Sequence, residues 1–139
     1  MSYLTSNEFD RIQTLGIALP QTELRRQKTL QITTVFLNLG QRLEMASLNV
    51  HLIQILTPGV VPSVESTSLG LVSAGLYLGD GMMTGGLGIA AASAPGVSSI
   101  GPMQPVIVTA PGTYKLIVSN NSSNVDVSVV VTGSLRIFS

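Results

Sequence analysis

Cysteine and tryptophan are absent from this 139-residue chain, and histidine occurs once. Without thiols there is no disulfide, thiolate nucleophile or zinc–thiolate site, and one imidazole cannot build a multi-histidine metal centre within a single chain. Charge is the second deficit. Asp, Glu, Lys and Arg make up 10% of the residues, against roughly 25% in soluble globular chains. Seven basic and seven acidic side chains cancel to a formal net charge of zero. An electrostatic grip on a phosphate backbone or an anionic lipid surface therefore has no basis, and neither nucleic acid nor membrane is expected as a partner. No residue constellation calls for a cofactor or a metal, and the expectation is a non-enzymatic chain of one-domain length.

One long uncharged stretch, from Gly81 to Gln104, has the length of a bilayer span. Its glycines, Pro95, Pro102 and serines would leave a helix with many weak points and few large lipid-facing side chains. The first ten residues show no basic segment followed by an apolar one, so synthesis and folding in the cytoplasm are expected.

The charges that are present crowd toward the N-terminus: nine of the fourteen lie at or before Glu44. This divides the chain into a polar N-terminal arm, residues 1–28, and an apolar body, residues 29–139. In the arm, Ser6 or Asn7 is placed to cap a short helix with Glu8 and Asp10 in its first turn and Phe9, Ile12 and Leu15 along one side. Gly16 would end it, and Pro20 prevents its continuation. A helix this short is marginal in water, so Phe9, Ile12 and Leu15 are expected to dock, either on the chain's own body or on a neighbouring subunit as partner. The basic cluster Arg25, Arg26 and Lys28 is expected to be a solvated part of the arm or to form salt bridges to a neighbouring subunit.

The body has the composition of strands. Branched and aromatic residues fill 30–37 before Gly40. Leu48, Val50 and Leu52 alternate with Asn49 and His51, and then the phase slips around Ile53 and Gln54, which indicates a bulge ahead of the Pro58-Gly59 turn. Residues 69–78, 87–92 and 106–108 are further candidates. After Pro111-Gly112 comes a strand from Thr113 to Val118, then the polar loop 119–124. Val125, Val127, Val129 and Val131 alternate with Asp126, Ser128, Val130 and Thr132, the period of a half-buried antiparallel strand. A break at Gly133-Ser134 precedes a terminal strand. About eight strands with no long helical pattern predict an all-β fold, an antiparallel β-sandwich or jelly roll carrying an N-terminal arm with a short helix.

The other motifs have ordinary explanations. Residues 86–91 match the glycine pattern of dinucleotide sites, but no acidic residue occurs between Asp80 and Asp126 to hold a ribose, and strands surround the motif. The segment around Met82 and Met83 suits a loop whose methionines adapt to a partner. His51 lacks a nucleophile and carboxylate that sequence alone can place beside it. Glu65 and Asp80 are no better defined as an acid–base pair. Asn120 and Asn121 each begin a glycosylation pattern that hairpin chemistry explains equally well.

A monomeric sandwich must keep its faces soluble and its edges from pairing with other chains, yet after Lys28 lysine appears only at Lys115. Burial against other chains follows as the expectation. A polar arm ahead of a small antiparallel body, with Ala110-Pro111-Gly112-Thr113-Tyr114-Lys115-Leu116 and the valine alternation at 125–131, resembles small virion proteins of tailed phages, above all capsid decoration (cement) proteins. The resemblance implies a non-enzymatic homo-oligomer, a trimer by preference, located in the virion and seated on the major capsid protein or another virion protein. A phage tail fibre or adaptor is the alternative within the virion. A carbohydrate-binding or adhesive sandwich is the alternative outside it, with Tyr77 and Tyr114 as its aromatic candidates.

Overall fold

The computed structural model describes residues 12–64, 70–78, 81–82 and 89–138. Among them are ten strands: β1 (Ile12–Leu24), β2 (Thr29–Leu37), β3 (Arg42–Ile55), β4 (Val72–Leu78), β5 (Gly81–Met82), β6 (Ala90–Ala92), β7 (Gly96–Ile100), β8 (Val106–Ile107), β9 (Gly112–Asn120) and β10 (Val127–Phe138). No helix occurs among the described residues, and so none is long and apolar enough to cross a membrane.

The strands form two antiparallel sheets. The first runs β1-β10-β3-β7 with β8 also on β3, and the second runs β2-β9-β4-β5 with β6 also on β4. The chain passes back and forth between them: β1, β3, β7 and β10 lie in one sheet, and β2, β4, β6 and β9 in the other. This is the winding of a double-sheet jelly roll.

Period-two patterning builds the core. In β10, Val127, Val129, Val131, Leu135 and Ile137 are buried at 0–2% exposure. In β3, Leu43, Met45, Leu48, Val50 and Leu52 are completely buried, as are Val72 and Val118 from the second sheet. Each such aliphatic side chain contributes about 1.5–3 kcal/mol on leaving water. The phase slip expected around Ile53 is present: Ser128 faces Gln54 while Val129 faces Leu52, leaving Ile53 as the extra residue.

Two expectations fail. Residues 12–16, expected to close a short helix, are extended from the start of β1, and the segment 12–24 of the arm is a strand of the first sheet. Its alternation of Leu15, Ile17 and Leu19 faces Leu135, Gly133 and Val131 of β10. Burial of this stripe outweighs the helical spacing of Ile12 and Leu15. Pro20 is accommodated because β1 is an edge strand and its register shifts between Leu19 and Thr22. Residues 1–11, including the expected cap and Phe9, lie outside the described residues.

The second failure is the break expected at Gly133-Ser134: β10 is a single strand there, and the irregularity at this place is a shift of its register against β3 between Ser134 and Leu135. Gly133 is needed where two backbones meet. A Cβ there would collide with the Ser47 carbonyl oxygen and lie 3.0 Å from Leu48 Cα. Gly133→Ala should lower stability by about 1–3 kcal/mol through overpacking. Gly16→Ala, on β1 with open space around it, should be neutral or stabilising by up to about 1 kcal/mol. Urea unfolding of the two variants checks the contrast.

Candidate functional site

The basic cluster forms the turn between β1 and β2. Lys28 N–H donates to the Arg25 carbonyl at 3.1 Å, and Gln27 takes φ 59°. Arg26 is turned back onto its own domain, its backbone N–H and Nε donating to the same Asp126 oxygen at 3.0 and 3.2 Å. Arg25 and Lys28 remain exposed. The Arg26 side-chain hydrogen bond is the largest influence holding the Asp126 carboxyl below its ordinary value, followed by the Arg26 backbone N–H.

Behind this turn lies a polar hub that the sequence presents only as a loop. Asn120 is 2% exposed. Its Nδ2 donates to the carbonyls of Leu24 and Val125 at 3.0 and 2.9 Å, and its Oδ1 accepts from Ser122 N–H at 3.0 Å. Asn124 extends the hub to the segment after β3, accepting from Ser63 N–H at 2.8 Å and donating to the Val61 carbonyl at 3.0 Å. Asp126 joins the same segment through Thr57 and Leu56. Three connections are thereby locked together at one end of the sandwich. Asn121 is likewise engaged, with Gly70 and Ser73, so hydrogen bonding explains both glycosylation patterns.

The outer faces are nearly free of charge. On the first sheet, Gly16, Ser134 and Ser47 make one cross-strand row, and Ala18, Thr132, Asn49 and Ser99 make the next. Ser99 Oγ donates to Asn49 Oδ1 at 2.6 Å. His51 sits in a third row, opposite Val130 and Val97. Charge stands toward the two ends of this face, with Glu23 opposite Ser128 at one and an ion pair at the other. There Arg136 pairs with Glu44 at 3.2 Å, next to an open depression of about 240 Å³ lined by Glu44, Pro102, Met103, Gln104 and Pro105. At the extreme of the sheet, Ile12, Phe138, Arg42 and Ile107 form a row across four strands. The Arg42 guanidinium lies 5.3 Å from the Phe138 ring centre, and Ile12 and Ile107 are 47% and 59% exposed. On the strands of the second sheet, Lys115 is the one charged residue.

The sequence-derived candidates are therefore scattered. Ile12 belongs to the exposed apolar row, but Leu15 packs against this chain's own core. Arg25, Arg26 and Lys28 lie in the β1–β2 turn. Met82 is in β5, paired with Tyr77, while Phe9 and Met83 lie outside the described residues, as do Glu65 and Asp80. Tyr114 offers no platform for a sugar: it is 3% exposed, and its hydroxyl donates to the Ala110 carbonyl at 2.6 Å. Burial raises the pKa of the Tyr77 phenol. Among the described residues, no three His, Asp or Glu side chains gather to hold a metal.

No protein-family profile matches the chain, and no curated protein matches it in sequence. Solved structures match it in fold. A chain of infectious bursal disease virus, Gx strain, aligns with a TM-score of 0.53 and 16% identity over 91% of this chain and 32% of the viral one. The VP2 subviral particle of that virus gives a TM-score of 0.51 and 15% identity over 92% and 33%. T=1 particles of a mutant VP2 give 0.51 and 14% over 92% and 32%. The likeness is to the β fold of a viral capsid protein, and this chain spans about a third of the length of the viral chains.

Two outcomes follow for the hub. Asn120→Ala leaves two carbonyls and an N–H without their partner, and should cost roughly 2–4 kcal/mol in denaturant unfolding. Because the Asp126 pKa is depressed in the folded chain, its contribution is present above the unfolded value of about 3.9 and is lost as pH falls through the lower folded value. A carboxyl NMR titration should place the Asp126 midpoint below that of an ordinary aspartate, and Arg26→Ala should bring it back up.

Proposed function

We propose that the chain is a non-enzymatic structural component of a virion, a jelly-roll module that packs against coat protein. In its specific form it is a capsid decoration (cement) protein, a homo-oligomer, preferably a trimer, seated on the major capsid protein. The observation that carries this reading is the two-sheet winding, which it has in common with the VP2 capsid protein. The outer faces add support. Their rows of Gly, Ala, Ser, Thr and Asn present little charge to be desolvated, as extensive contact with other chains requires. The exposed row of Ile12, Phe138, Arg42 and Ile107 supplies apolar area at one end of the same face.

Immunogold electron microscopy on purified particles from the source tests this. A decoration protein gives label distributed over the shell. Label confined to a tail or a single vertex would assign the chain to a fibre or adaptor instead. Recovery of the protein only in the soluble fraction, with none on particles, would sink the virion reading.

A further inference from the structure

Four edges bound the two sheets, and three of them are guarded. One edge of the first sheet is split into β7 and β8, of five and two residues, and one edge of the second into β5 and β6, of two and three. β1 is long, but it carries Pro20, the register shift between Leu19 and Thr22, and Glu23. Short strands, proline, bulges and charge are the means by which sheets avoid pairing with other chains. β2 differs. Its nine residues, Thr29 to Leu37, contain no proline and no charge, and its single irregularity is the register shift between Gln31 and Thr33. Beyond that shift, 33–37 is a regular strand, with Thr34 exposed, Phe36 62% exposed and Leu37 completely buried. Among the described residues, β2 is hydrogen-bonded to β9 on one side and to no strand on the other.

We propose that two copies of this chain pair through β2, antiparallel across a two-fold axis, so that the second sheet runs continuously through both. Charge argues for a second copy as the occupant. Antiparallel self-pairing sets the strand against a second copy of itself, so any charge it carried would meet the same charge of the other copy nearby; an uncharged strand pairs without that like-charge repulsion. The nearest charge on this face, Lys115, sits one strand in, opposite Thr34. An axis near Val35 places Phe36 of each copy beside Thr34 of the other, an aromatic and β-branched cross-strand pair. The contact is isologous and closes as a dimer. It leaves both sheet faces free for the contacts that a trimer would use, and it concerns the chain in solution, independently of any virion.

Sedimentation velocity over a wide concentration range tests the pairing with the full chain. The wild type should show a reversible dimer, and Thr34→Lys, an exposed substitution that adds the missing edge charge, should weaken it by roughly tenfold or more. Ala18→Lys, on the outer face of the first sheet, should leave dimerisation unchanged; thermal unfolding confirms that both variants fold. Because the chain has no cysteine, oxidising a mixture of Thr34→Cys and Phe36→Cys chains gives a direct check, and a cross-linked heterodimer is expected. A wild type that is monomeric at every concentration overturns the proposal. So does a dimer that survives Thr34→Lys but is lost in Ala18→Lys. Dimerisation that appears only after residues 1–11 are deleted also overturns it, since the arm of the same chain would then be the occupant of the edge.

Discussion

The inward face of β10 is the constraint on which the other elements depend. This strand is paired on both sides, with β1 and with β3, and its alternating valines, Leu135 and Ile137 lie against the second sheet with almost no exposure. A slip of one residue would exchange that face with Ser128, Val130, Thr132 and Arg136. Register is therefore specified by apolar burial, and the irregularities of the neighbouring strands are adjustments to it: Ile53 bulges from β3, and β1 shifts its register against β10 at Pro20, while Gly133 of β10 allows the β10 and β3 backbones to approach.

Burial alone does not specify how the strands are connected, and at one end of the sandwich hydrogen bonding takes over. Asn120 terminates β9 while holding the end of β1 and the start of the run into β10. Asn124 and Asp126 hold the segment that follows β3. All buried side-chain nitrogen and oxygen atoms among the described residues have partners, so this end is rigid without a disulfide. Exposed apolar side chains stand at both ends, Val60 and Val61 beside this hub and Leu39, Ile107 and Phe36 at the opposite one.

Strands whose two faces differ in polarity were legible from the sequence. The 125–132 alternation, the run at 30–37 and the slip at Ile53 all follow from a buried side chain at every second position. β1 was obscured because Ile12 and Leu15 also fit a helical spacing and Pro20 falls within the strand; the alternation of Leu15, Ile17 and Leu19 was the available signal. β7 was hidden by its glycine and serines, since its place is secured by the β3 edge and by little of its own. The candidate site was less legible still. Arg26 and Asp126 are brought together by the fold from opposite ends of the chain, and Asn120 is indistinguishable in sequence from the polar residues that follow it.

The pairing of β1 with β10 also governs the order of events at the ribosome. These strands are neighbours in space but are separated in sequence by nearly the whole described chain, so β1 emerges long before its partner exists. At about 5–20 residues per second, its Leu15, Ile17 and Leu19 remain without their sheet for on the order of ten seconds. The first sheet can close only when synthesis has passed β10, and long-range pairing of this kind is slow to form even then. For each nascent chain there is consequently an interval in which an apolar strand awaits its place. At high expression on polysomes, Pro20 and Glu23 are the features within that strand that oppose pairing with the same segment of a neighbouring chain.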